Sequence, residues 1–212
     1  MTNRERRDAH LAYIADEPII EELMRARRLV QRLNTMDRTD EKGILKLVQE
    51  LLQTEQTPCI VPPFACDYGN HICVGKNFFA NYNCTLLDVG KITFGDNCLL
   101  APNVSIYTAG HPLHPDSRNS GYAYGADVVV GSNVWIVGSV VITPGVHIGD
   151  CCVIGAGSVV TWDIPAWSLA AGNPCRVIRT ITEADRAFYF KDKRFDEYAW
   201  EQVRKGSTDE TV

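Results

Sequence analysis

The 212-residue chain has no apolar run approaching the length of a membrane span, which argues against a transmembrane helix. It has no C-x-x-C pair, so the usual spacing of a structural zinc site is missing. It has no basic cluster, and a net charge of −5 argues against nucleic acid as a main partner. The opening residues, MTNRERRDAH, lack the apolar stretch of a secretory signal, and the expectation is a cytoplasmic protein. Hydrophobic and charged contents of 45% and 22% are those of an ordinary globular domain with a core to bury.

What is present is a period. Val130, Ile136, Ile142, Ile148, Ile154 and Val160 fall six residues apart. An α-helix repeats its apolar face every 3.6 residues and a strand every 2, so a period of six needs another geometry. Small residues follow several of these positions (Gly131, Gly149, Gly155), and a second apolar slot recurs at Val134, Val140, Val146 and Cys152. The pattern predicts a short strand and a tight corner in each hexad, three corners to a coil, with the aliphatic residues stacked inside a triangular prism. The register continues upstream through Phe94, Leu100 and Ile106, and through Val74, Ala80 and Leu86, with a two-residue offset around Asp88 to Lys91. Cysteine, at eight residues, is plentiful, and as a compact hydrophobe kept reduced in the cytosol it is read as filler. Cys66 and Cys84, one 18-residue coil apart, are expected to stack; Cys98 and Cys152 share the second apolar slot.

The organisation follows. Residues 1–56 read as a helical segment, with Pro18 opening one helix that ends near Asn34 and Asp40 capping another that runs through Leu52. Residues 57–179 form the β-helix domain, entered through TPCIVPPF. Residues 180–212 are a helix and tail, with Thr182 expected to cap an amphipathic helix holding Phe188, Tyr189, Phe190, Phe195, Tyr198 and Trp200. The repeat is broken once at length, by a polar loop over 108–127, and a loop thrown from a rigid scaffold is where function is sought.

Five segments carry a resemblance: CDYGNHICVGKNFFANYNC (66–84), APNVSIYTAGHPLH (101–114), GSNVWIVGSVVITPGVHIGD (131–150), VIGAGSVVTWDIP (153–165) and AAGNPCRVIR (170–179). In these the chain resembles the hexapeptide-repeat sugar O-acetyltransferases, in particular the maltose and galactoside acetyltransferases. The resemblance implies a left-handed parallel β-helix, a homotrimer with active sites between subunits, and acetyl transfer from acetyl-CoA to a sugar hydroxyl (maltose, glucose or galactoside-like).

A sugar hydroxyl is too weak an acid to attack a thioester unaided, so the reaction needs a base, and histidine is the side chain that exchanges a proton near neutral pH. The family motif places that base at His111, in T-A-G-H-P at the entrance of the loop. By the same resemblance Asn81 and Asp67 bind the acceptor, as does Asp16, where the alignment slips by a residue; Asn81 at a corner also suits a plain turn role. Trp135 matches a position lining the reaction site. Arg176 and Arg179 would supply cations for the CoA phosphates. Gly138 and Ala156, small outward residues, would let the pantetheine arm lie close. Thr161 and Trp162 complete the donor set. The family often carries Lys where this chain has Trp162. A direct attack in a ternary complex requires neither a cysteine nucleophile nor a metal.

Alternatives remain at this level. The acceptor is then an amino sugar, a lipo-oligosaccharide or a xenobiotic. A zinc-dependent carbonic anhydrase-like β-helix would draw on His71, His111 and His114, although His111 and His114 lie on one proline-containing loop. A non-catalytic trimeric scaffold leaves His111, Asn81 and the arginines unexplained.

Overall fold

A side chain that is apolar every sixth residue can be buried by all its copies only if the chain turns three times per coil and stacks. The computed structural model, which describes residues 1–206, does this: a left-handed parallel β-helix of about six turns. Its first face carries seven strands, from Cys59–Ile60 to Arg176–Thr180. The second carries five, from Phe64–Cys66 to Val159–Val160, and the third four, from Ile72–Cys73 to His147–Ile148. Pairing between successive coils is parallel from Cys59–Ile60 up to Ser168–Ala171, with Trp135 over Val153 and Val141 over Val159 at a spacing of 18 residues. Ile136, Ile142, Ile154 and Val160 are fully buried. At about 1.5–3 kcal/mol for each buried aliphatic side chain, this column is the main source of stability.

The lower coils are longer. Phe79 pairs with Leu99 and Phe64 with Cys84, each 20 residues on, because extra residues widen the corners around Asp67–His71 and Asp88–Lys91. This corrects one expectation: Cys66 pairs with Leu86, so Cys66 and Cys84 do not stack. Cys98 and Cys152 are both fully buried, as a shared slot requires.

The corner between the third and first faces is built by one column of residues. Asn77, Asn97, Asn133, Cys151 and Trp167 all take left-handed backbone, with φ between 55 and 60°. Asparagine tolerates this region through its short polar side chain. The three asparagines also bond to one another, Asn77 Nδ2 to Asn97 Oδ1 at 2.9 Å and Asn97 Nδ2 to Asn133 Oδ1 at 3.0 Å.

The helices α1 (Asn3–Asp8), α2 (Glu17–Asn34) and α3 (Glu41–Leu52) precede the prism. Leu29, Leu33, Leu47, Val48, Leu51 and Leu52 join the prism core and close its lower end. Asn34, the last residue of α2, completes the closure: its Oδ1 accepts from Phe64 N–H at 2.8 Å and its Nδ2 donates to Phe64 C=O at 2.9 Å. A side-chain amide thus stands where a neighbouring strand would.

The loop at 108–127 is ordered around a short antiparallel stem, Ala109–Gly110 with Tyr124–Gly125, and carries α4 (Pro115–Asn119). The N-terminal arm holds it, Tyr13 and Ala123 exchanging both backbone hydrogen bonds at 2.9 and 3.0 Å.

Residues from Thr180 onward form a second unit. Here the expectation of one helix from Thr182 is corrected. Thr182 caps a 3-10 turn, Glu183–Ala187; Phe188–Phe190 then pairs with Lys193–Arg194 as a hairpin, and α5 begins only at Glu197 and is described to Gly206. Three consecutive aromatics prefer a strand, and Lys191 takes the left-handed turn backbone. The end of the expected tail, 207–212, lies outside the described residues. Among the described residues no helix is long and apolar enough to cross a membrane.

Candidate active site

The long loop leaves the prism at the edge between the second and third faces, and this edge stacks chemistry-bearing residues coil upon coil. Asp67 lies lowest, Asp88 above it, then Thr108 and the loop, and finally Thr161, Trp162 and Asp163. His111 stands exposed just beyond the stem, its Nδ1 3.3 Å from the carbonyl oxygen of Tyr122. When Nδ1–H donates to that carbonyl, Nε2 is left as the unprotonated nitrogen. Gly110 packs beside it against the tip of the Tyr124 ring, which a Cβ there would push aside. His114 is committed elsewhere, its Nδ1 accepting from Asp116 N–H at 3.2 Å as the N-cap of α4.

Asp67 is half-buried, and burial, reinforced by the charge of Asp88, raises its pKa above the ordinary carboxylate range. Asp88 is fully buried. Its Oδ1 accepts from the backbone N–H of Asp67 and of Tyr68, both at 2.9 Å, while Oδ2 has no partner. Burial raises its pKa too, outweighing the N–H donors and nearby His71. His71 is turned to this corner, Nδ1 2.8 Å from Asp88 C=O. Tyr68 in turn lies under the Arg7 guanidinium, 4.6 Å from ring centroid, and Arg7 pairs with Glu22 at 2.7 Å and Asp8 at 2.9 Å. Burial works against the Arg7 charge, but these partners prevail and raise its pKa. Asp16 begins α2 with Oδ2 accepting from Asn3 Nδ2 at 3.2 Å and Oδ1 buried without a partner; a cavity of about 690 Å3 opens beside it.

The remaining candidates lie elsewhere. Asn81 sits at the edge between the first and second faces, its Oδ1 accepting from Tyr82 N–H at 2.9 Å. The left-handed turn backbone there belongs to Asn83 instead. Higher on the same edge Gly138 stacks under Ala156, with Gly157 N–H donating to Gly138 C=O at 3.0 Å. Trp135 points outward from the first face, 48% exposed. Thr161 and Trp162 line a cavity of about 460 Å3 on one side, and Trp162 lines another of about 330 Å3 with Arg176 on the other. Arg176 Nη1 donates to Cys175 C=O at 2.8 Å, and Arg179 follows, exposed, on the same strand. One chain therefore gathers His111, Asp67, Thr161 and Trp162 on one edge and Asn81, Gly138 and Ala156 on another.

Sequence reasoning missed Asp88 and Arg7. In the sequence Asp88 stands only inside an offset of the repeat, and the one signal near Arg7 is the Thr2–Glu5 capping box that starts α1. Burial pushes the Cys84 and Cys98 thiols up to about 11 and raises that of Cys175 as well, the opposite of an activated nucleophile. Among the described residues no three His, Cys, Asp or Glu side chains converge as a metal site.

The proteins this chain is similar to are acetyltransferases. No family model matches the chain. It is 42% identical over 181 residues to the galactoside O-acetyltransferase of Escherichia coli (strain K12), covering 85% of this chain and 89% of that one. Among solved structures, a maltose O-acetyltransferase from Clostridium difficile 630 superposes with a TM-score of 0.84 at 48% identity, covering 86% of this chain and 99% of the other. A galactoside acetyltransferase in complex with coenzyme A gives 0.89 at 41% identity, covering 93% and 100%. The chain belongs to the hexapeptide-repeat sugar O-acetyltransferase family.

Proposed function

We propose that this protein transfers acetyl from acetyl-CoA to a hydroxyl of a maltose-, glucose- or galactoside-like sugar, within a homotrimer, with His111 as general base. The observation that carries the reading is the placement of His111, exposed on the projecting loop with Nδ1 held toward the Tyr122 carbonyl. Nε2 takes the proton of the sugar hydroxyl as its oxygen bonds to the thioester carbon. The tetrahedral intermediate then collapses, the carbon–sulfur bond breaks, and the imidazolium returns the proton to the departing CoA thiolate. Asp67, Asp16 and Asn81 hold the acceptor hydroxyls. Trp135, Gly138, Ala156, Thr161, Trp162, Arg176 and Arg179 hold the donor.

Two features support a trimer. Each set of candidates is divided between two edges of one prism, with Asp67, Thr161 and Trp162 beside His111 and Asn81, Gly138 and Ala156 on the other edge, so a second copy would bring the second group to His111. The outward side of the first face is also an apolar stripe, in register from Cys59 through Phe79, Leu99, Trp135 and Val153 to Leu169. Such a stripe is a natural interface.

The test is transfer of labelled acetyl from acetyl-CoA to maltose, glucose, galactosides and amino sugars, comparing wild type with His111→Ala. The expected result is at least one labelled sugar and a loss of about two to four orders of magnitude in the variant, with CoA still bound. Wild type that binds CoA and labels no sugar overturns the acceptor; wild type that binds no CoA overturns the transferase reading.

A further inference from the structure

Trp162 is a large apolar side chain, 68% exposed, at the tip of a rigid corner. It forms the wall between two cavities of about 330 and 460 Å3. Of the residues lining the two, Arg176 is the sole cation, and it lines only the first. Asp163 lines both. Its carboxylate is fixed in place, Oδ1 accepting from His147 N–H at 2.8 Å. The surroundings of Trp162 therefore offer a flat aromatic face and a fixed negative charge. A purine ring stacks on such a face, and a phosphate beside it meets a like charge.

From this juxtaposition, and resting on the acetyl-CoA reading above, we infer that Trp162 is a stacking platform for the adenine of the donor and leaves the ribose 3′-phosphate unread. Arg176, with Arg179 farther along the same strand, is then left for the diphosphate, which every CoA thioester carries. The donor class widens accordingly: acetyl thioesters with an adenosine diphosphate tail, with or without the 3′-phosphate.

The experiment compares acetyl-CoA with acetyl-3′-dephospho-CoA as donors for wild type, Trp162→Ala, Trp162→Phe and Trp162→Lys, with melting curves to confirm that each variant is folded. Wild type is expected to use both donors with kcat/KM within threefold. Trp162→Ala raises KM about tenfold for both donors, the loss of one base stack. Trp162→Phe keeps KM within threefold of wild type, and Trp162→Lys comes to favour the phosphorylated donor by tenfold or more. A wild type that already favours acetyl-CoA tenfold overturns the inference, as does a Trp162→Ala variant with KM for both donors within twofold of wild type. Calorimetry keeps the two readings apart: wild type that binds neither donor overturns the acetyl-CoA reading itself, whereas binding with strong 3′-phosphate preference overturns the platform alone.

Discussion

Replacing Asp88 with asparagine tests the buried corner beneath the loop. The carboxylate is fully buried, with two backbone N–H donors on Oδ1 at 2.9 Å and none on Oδ2. Burial raises its pKa, and the donors do not offset it. The sign follows from linkage. A folded-state pKa above the unfolded value of about 3.9 means that the folded protein holds this proton to higher pH. The stabilising contribution is present at low pH and is lost as pH rises through the folded pKa. The amide of Asp88→Asn keeps the Oδ1 acceptor and carries no charge at any pH. The variant should therefore gain on wild type as pH rises. The amide nitrogen that replaces Oδ2 is equally without a partner, so the gain comes from the lost charge alone, at about 1.4 kcal/mol for each pH unit by which burial raises the pKa. For a chain of this size each 1 kcal/mol moves Tm by about 2–4 °C. The measurement is the difference in Tm between variant and wild type by calorimetry at steps from pH 4.5 to 8. A difference that stays flat with pH, or that shrinks as pH rises, refutes the reasoning.

Other perturbations probe the scaffold and the loop. Asn97→Ala removes both rungs of the asparagine column and leaves a left-handed backbone without its favoured residue; thermal melts should show a loss of about 1–3 kcal/mol, and an unchanged Tm would mean that the column is ornamental to stability. Ile142→Ala opens a cavity in the fully buried stack, at an expected cost of about 2–5 kcal/mol in denaturant titration. Gly110→Ala forces the tip of the Tyr124 ring to move; kcat should fall while CoA binding by calorimetry holds, and full activity would mean that Tyr124 swings aside without disturbing His111.

The sequence made the prism legible because its signal is repeated: Val130 through Val160 state the same geometry six times, and any one of them could change without hiding the rest. The acceptor and donor candidates were readable as members of matched segments, but their division between two edges was not, since it depends on which corner each hexad reaches. Cys66 and Cys84 show why spacing alone misleads: the wide corners add two residues to the lower coils, and the count that works for Ile136 and Ile154 fails lower down. The hairpin at Phe188–Phe190 reads as helix in the sequence because aromatic residues satisfy either pattern over a short window. Asp88, Arg7 and Tyr68 meet across the chain, with no local period to announce them. The carbonyl opposite His111 comes from Tyr122, at the far end of the loop, and only closure of the stem brings it near.

The amide of Asn34 has a meaning for growth. A β-helix is a polymer of coils within one chain, and its first strand is a template on which another chain's last coil could continue. By occupying both bonding groups of Phe64, one side chain gives the molecule a beginning. A chain with that end uncovered could add to its neighbours head to tail and become a filament. The distinction between an enzyme of fixed size and a fibre of indefinite length thus runs, at this end, through two covering helices and a residue whose two hydrogen bonds imitate a strand and then stop.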